Sequence, residues 1–357
     1  MNKQLWLLFI FLCTNVFLNS CLKHINNQTV PKEYTFYPTP PDSPRIQFLL
    51  SINNSFDLEK KQSSFNKFVF GESKPKSLIK PYGVTINNGK IYLCDTGIKG
   101  IAIIDLQNNK FDYFIPEGQG RLIMPISCFV DIEGNLYVAD GGRKEIIIFN
   151  NTGKYLGACG EKENFKPTDV FVKDNKIWVA NIKNHAINVY QNDSTFQLIF
   201  SFPDIENNSE GYLNQPTNLY VTDNKVYVTD FGSFKIKIYK HSGEFEEAFG
   251  SYGNNFGQFV RPKGIALDRE LNRYVVDAAF QNVQIFNKNN ELLMFFGGGS
   301  KGPGGMSLPA KVYIDYENIE YFKSFVNPGY KIKYLILVTN IIGDNKLNIY
   351  AYVEPEK

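Results

Sequence analysis

Residues 125–160 read PISCFVDIEGNLYVADGGRKEIIIFNNTGKYLGACG, and this stretch decides the fold. It opens on Pro125, runs through CFVD (128–131), turns at Glu133-Gly134-Asn135 and continues as LYVAD (136–140). Gly141-Gly142 leads into EIIIFN (145–150), and Asn151-Thr152-Gly153 into KYLGACG (154–160). Four short apolar segments are thus separated by Gly and Asn, which reach positive φ at low cost, the chemistry of tight antiparallel hairpins. The same order starts at Pro81 (PYGVTINNGKIYLCD), Pro167 (PTDVFVKDNKIWVAN), Pro216 (PTNLYVTDNKVYVTD) and Pro262 (PKGIALDRELNRYVVD). Successive prolines lie 44, 42, 49 and 46 residues apart, and 47 more leads to Pro309. A period in the forties with four strands per copy marks a β-propeller blade. Six copies predict an all-β, six-bladed β-propeller with four antiparallel strands per blade.

The first segments (DVFV, NLYV, GIAL) are almost wholly apolar, as expected of strands covered on both faces by neighbouring blades. The sixth copy is longer than the rest. Pro309 lies 31 residues before Asn340, whereas the other copies reach their Asp or Asn in 14 or 15. About sixteen residues (near 316–333) are therefore inserted between its first two strands. Such an insertion either forms a loop on a working face or packs Tyr321, Phe322, Phe325 and Tyr330 down as a local plug. The last segment, LNIYAYV (347–353), has no fourth strand after it. An open edge invites pairing with another chain, so the ring must borrow a strand from before Pro81. FNKFVFG (65–71) is the better placed; RIQFLLSI (45–52) is the rival, or an extra outer strand.

These repeats resemble the NHL (TolB-like) propellers, whose pattern is Pro-x-Gly-Val-Ala-Val, then Val-Tyr-Val-Ala-Asp, then Ile-x-Val-Phe. The Gly-rich linkers FGSYGNNFGQFVRP (249–262) and FFGGGSKGPGGMSLP (295–309) look like the family's crossing from an outer strand to the next inner one. The likeness covers about residues 65–353. It is a diverged one: the family's Asn three places after the Asp survives only as Asn184, and its basic residue five places after only as Lys235. Six-bladed lipoproteins of this kind are common in Bacteroidota, and some related propellers are lyases or lactonases that use metal ions. The resemblance therefore implies either a binding and scaffold module or a metal-dependent lyase or lactonase with its site in the central channel.

The N-terminus gives a cellular address. Lys3 precedes LWLLFIFL (5–12), an apolar run too short to span a bilayer but suited to a cleaved export signal. Leu18-Asn19-Ser20-Cys21 then resembles a bacterial lipobox, with Asn19 an unusual occupant of its middle. The expected organisation is a signal peptide over 1–20, a lipidated Cys21 with a polar, Pro-rich tether over 21–44, and the propeller over 45–357. Several acyl chains on one terminus hold a protein to a membrane durably. No Asp or acidic cluster follows Cys21, which favours the outer membrane facing the periplasm over surface export.

Charge and cysteine count narrow the partners. A net charge of +2, with no concentrated basic run, gives no support to nucleic-acid binding, and a monomer is expected. Cys94, Cys128 and Cys159 remain after processing, an odd number, read as small buried side chains, with a Cys94–Cys128 bridge as the alternative. His24, His185 and His241 fall at unrelated places, so a His-rich zinc site is not expected. Asp95, Asp140, Asn181, Asp230, Asp277 and Asn340 form the most regular polar set. Each closes a second strand, where its side chain can accept N–H groups of the following turn. Alternatively they ring one mouth of the channel as ligand-binding carboxylates. No cofactor is expected, with calcium the one ion that carboxylates and carbonyls would suit. The Gly297 to Gly305 stretch lacks the strand–GxxxxGK–helix setting of a phosphate loop, and its place in the repeat explains it. A protein, peptide or glycan partner is expected at the channel mouth or the insertion.

Overall fold

The computed structural model describes residues 33–58, 74–160 and 163–356. The proposed signal, Cys21 and the 65–71 segment lie outside the described residues. The compact unit begins at Tyr34, ahead of the boundary expected at 45. Among the described residues six antiparallel sheets form the blades of a propeller.

Blade 2 shows the pattern. Pro125–Val130 is innermost, followed outward by Leu136–Asp140, Glu145–Phe149 and Tyr155–Cys159. Blades 1, 3, 4 and 5 repeat it from Pro81–Asn87, Pro167–Lys173, Pro216–Val221 and Pro262–Leu267. Each proline pairs with the Asp or Asn that ends the second strand, and the register shifts immediately after it. Proline suits the first position of a strand because it has no N–H to give to the ladder. The hairpin turns use the expected chemistry: Asn88 and Gly89 both have positive φ (46° and 72°).

Blades bury their faces against each other. Trp178 of blade 3 is fully buried in a cluster with Leu219, Val228 and Tyr239 of blade 4. Cys94 and Cys128 share a cluster between blades 1 and 2, and both are free thiols, as is Cys159.

Blade 6 departs from the pattern in two ways. Its strands run Pro309–Asp315, Tyr330–Asn340, Leu347–Pro355, and the fourth is Ile46–Ile52, with Phe36–Tyr37 added outside it. Among the described residues the ring is therefore closed by Ile46–Ile52, within the 45–52 segment that the sequence offered as the rival candidate. Part of the expected tether (Phe36–Tyr37) belongs to the sheet. In that pairing Ile46 faces Tyr352 on one side of the sheet, and Leu50 and Ile52 face Ile349 and Leu347 on the other, so both faces of the closing strand extend the apolar clusters of blade 6.

The insertion makes a 3-10 helix over Ile319–Phe325 and then lengthens the second strand to eleven residues. Phe322 is buried, Phe325 and Tyr330 pack against the same core, and Tyr330 lies 5.3 Å from Phe36. Gln47 of the closing strand donates from Nε2 to Phe325 O (3.0 Å) and accepts from Asn327 N–H (3.0 Å). The plug alternative holds for these aromatics, while Tyr321 stays exposed.

Candidate functional site

The six repeated polar residues at the strand ends come to equivalent places round the ring, and all are buried. Asp277 accepts N–H groups of Val260 (2.8 Å) and Arg261 (3.1 Å) from the incoming loop, and of Ala279 (2.9 Å) and Phe280 (3.1 Å) from the outgoing turn. Asp140 clasps Ile123 and Met124 on one side and Gly142 and Arg143 on the other. Asp95 does the same with Ile79, Lys80 and Gly97. Asp230 takes Asn214, Gln215 and Ser233, with Lys237 Nζ 3.0 Å away. Asn181 and Asn340 keep the clasp by a different division: Oδ1 accepts from Lys166 or Ser307, and Nδ2 donates to the Asn164 or Asn345 carbonyl. In this geometry the side chains fasten the loop before each blade to the turn within it. Among the described residues no group of three or more His, Cys, Asp or Glu is placed to hold a metal ion. His185 bonds to the Asn214 carbonyl (2.5 Å), and His241 to that of Thr222 (2.9 Å).

A second ring lies two residues after each proline: Gly83, Ser127, Asp169, Asn218, Gly264 and Lys311. Asp169 is wholly buried at its centre. It accepts from Ser127 Oγ (2.5 Å), Asn218 Nδ2 (3.2 Å), Lys311 Nζ (2.5 Å) and the N–H groups of Val170 and Leu219 (both 3.0 Å). Blades 2, 3, 4 and 6 thus meet on one carboxylate. The two glycines let the remaining inner strands close in: a Cβ on Gly83 would lie 2.5 Å from Ser127 Cα, and one on Gly264 2.7 Å from Lys311 Cα.

This layer divides the channel. On the proline side is a pocket of about 200 Å³ to which all six blades contribute, among them Tyr82, Thr168, Thr217 and Lys263, with Lys166 and Ile182 from the loops. Beyond the layer is an apolar chamber of about 150 Å³ lined by Phe129, Phe171, Tyr220, Ile265 and Tyr313. Lys311 borders both. Phe129, Phe171 and Tyr220 form a run of rings 4.7 and 5.1 Å apart, and burial pushes the Tyr220 hydroxyl up to about 12. In the pocket, burial lowers the Lys263 ammonium from the usual lysine range, and neighbouring Arg261 pushes the same way. Lys263 Nζ sits 5.9 Å over the Phe231 ring.

A larger cleft, about 750 Å³, opens between the outer faces of blades 2 and 3 at the opposite end. Two of its acids are bonded within their own turns. Asp131 holds Asn135 N–H (2.8 Å) and Nδ2 (3.0 Å), and Asp193 holds Thr195 N–H (2.8 Å) and Oγ1 (2.6 Å). The Gly297 to Gly305 stretch is the crossing into blade 6, its Gly304 carbonyl taking the Tyr37 and Tyr350 hydroxyls.

The polar layer does not stand out in the sequence because its residues differ in type from copy to copy: Gly83, Ser127, Asp169, Asn218, Gly264 and Lys311. Aligned on their prolines, the third residue is glycine or polar in all six copies of otherwise apolar strands, and that is the available signal.

No protein-family description matches the chain, and no curated protein does. Solved structures do match in fold. A structural-genomics protein of unknown function from Bacteroides thetaiotaomicron has a TM-score of 0.59 at 14% identity, covering 87% of this chain and 76% of that one. Streptogramin B lyase has a TM-score of 0.52 at 15% identity, covering 76% and 83%. A catalytically inactive virginiamycin B lyase from Staphylococcus aureus, solved with quinupristin, has 0.52 at 14%, covering 76% and 94%. At these identities the likeness is one of fold alone, and in this chain that fold is a six-bladed β-propeller.

Proposed function

We propose that this chain is a binding module of the cell envelope, an NHL-like propeller held to a membrane by lipid on Cys21 and facing the periplasm. Its ligand, a peptide, glycan or segment of a partner protein, enters the pocket on the proline side of the channel. The observation that carries this reading is the floor under that pocket. The Asp169–Lys311 layer makes the channel mouth a blind pocket shared by all six blades, and concave sites of this kind with a few convergent polar groups are the usual place for ligands. The lining offers lysines, hydroxyls and an amide, and none of its residues is a carboxylate or an imidazole. Such a set favours holding a ligand over the metal-assisted lyase or lactonase chemistry of the alternative reading.

Ligand-observed NMR of the purified protein against short peptides and oligosaccharides tests this. Ile182→Trp, which fills the mouth from a turn, is expected to abolish the hits while leaving the melting temperature near that of the wild type. Hits that survive in Ile182→Trp, or turnover of a compound that depends on stoichiometric metal, would overturn the binding reading.

A further inference from the structure

We propose that the group taken at this mouth is anionic, a carboxylate or phosphate, seated on Lys263 with Lys166 at the rim; this rests on the pocket being the binding site. The argument starts from charge. Three lysines border the pocket: Lys166, Lys263 and Lys311. Lys311 is neutralised by Asp169, whose two oxygens are filled by five donors, so this acid has nothing left for a second cation. Lys263 has no ion pair with any carboxylate among the described residues, and its Nζ lies over the face of Phe231. Arg261, two residues before it, adds a like charge. A half-buried ammonium without a counter-ion is costly, and the cost is relieved when a ligand supplies the anion.

The neutral groups sharpen the ligand's chemistry. Thr168 Oγ1 shares its proton between the Ala180 and Pro216 carbonyls (both 3.1 Å), and Thr217 Oγ1 donates to that of Thr229 (3.4 Å). Each hydroxyl has one proton, already given to the protein, so what both can still offer a ligand is a lone pair. The Asn218 amide gives one of its two Nδ2 hydrogens to Asp169, and its Oδ1 remains to accept. The matching ligand carries O–H or N–H donors beside its negative group, as a sugar acid or a peptide C-terminus does.

Calorimetry on the purified full-length protein with D-glucuronate, the dipeptide Gly-Gly and inorganic phosphate, and with D-glucose as the uncharged control, tests the proposal. One or more of the three anions should bind at one site and glucose should not. Affinity should fall at least tenfold in Lys263→Met, recover in Lys263→Arg, weaken with added salt and be lost in Ile182→Trp. Lys99→Met, a basic residue outside the pocket, should change nothing, and melting curves report whether each variant is folded. Which anion binds separates carboxylate from phosphate, and sugar acid from peptide. Unchanged affinity in folded Lys263→Met, or no anion binding at millimolar concentrations, overturns the anion proposal. If glucose or another neutral compound still binds and is lost in Ile182→Trp, the pocket reading stands without it. Binding of any probe that Ile182→Trp leaves intact sinks both.

Discussion

At the residue scale, the repeated Asp is a fastening. Its two oxygens hold up to four N–H groups from two loops, and removing a buried partner leaves each orphaned donor costing about 1–3 kcal/mol. Asp277→Ala should therefore lose about 2–4 kcal/mol in urea unfolding. Asp277→Asn should lose less than half as much, because Asn already does this work at positions 181 and 340. Equal losses would show that the carboxylate charge, and not its hydrogen-bonding pattern, is what matters. The thiols give a second prediction. Burial pushes Cys159 up to about 12, and raises Cys94 well above the ordinary thiol range. The thiolate is the reactive form, so near pH 8 a disulfide reagent should label Cys94, Cys128 and Cys159 slowly until denaturant is added. Labelling should gain speed as pH rises toward the raised values, and fast labelling of the native protein at pH 8 would contradict the burial. At this scale the sequence showed the strand-end Asp through sheer regularity. It hid Lys263, whose meaning depends on which carboxylates fail to reach it.

At the scale of elements, one side chain of the closing strand fastens the end of the insertion in blade 6, beside the packing of its aromatics. Gln47 is buried and satisfies both the Phe325 carbonyl and the Asn327 N–H. Gln47→Leu keeps the strand but orphans both groups. Hydrogen exchange over 319–327 should speed up by about tenfold or more, corresponding to at least ~1.4 kcal/mol, while exchange in blades 2 to 4 stays unchanged. Uniform acceleration would instead mean that the insertion and the ring open together. The sequence located this insertion from its length alone, since a copy with 31 residues where others have 14 or 15 must hold something extra. Whether its aromatics would face solvent or the core depended on the neighbouring strand, and that strand lies nearly three hundred residues away in the chain.

At the scale of the whole molecule, Asp169 couples four blades at the channel centre. Losing one partner of a buried ion pair typically costs about 3–5 kcal/mol, whereas replacing both by apolar groups of similar size is often neutral. Asp169→Leu should destabilise by about that amount, and the double variant Asp169→Leu with Lys311→Met should recover most of it. Failure of the double variant to recover would place the value of the layer in its bonds to Ser127, Asn218 and Leu219. By itself the sequence determined the blades, their number, the strands in each and the turns between them, because hairpins are local and each copy carries its own apolar alternation and turn residues. The tertiary structure decided what joins the first residues to the last. Ile46–Ile52 closes the ring by pairing with Leu347–Pro355 and extending the apolar clusters on both faces of that strand, a pairing that exists only once six blades have come round. The polar floor of the channel, and the pocket above it, arise in the same way: Ser127, Asp169, Asn218 and Lys311 meet only after the ring has closed.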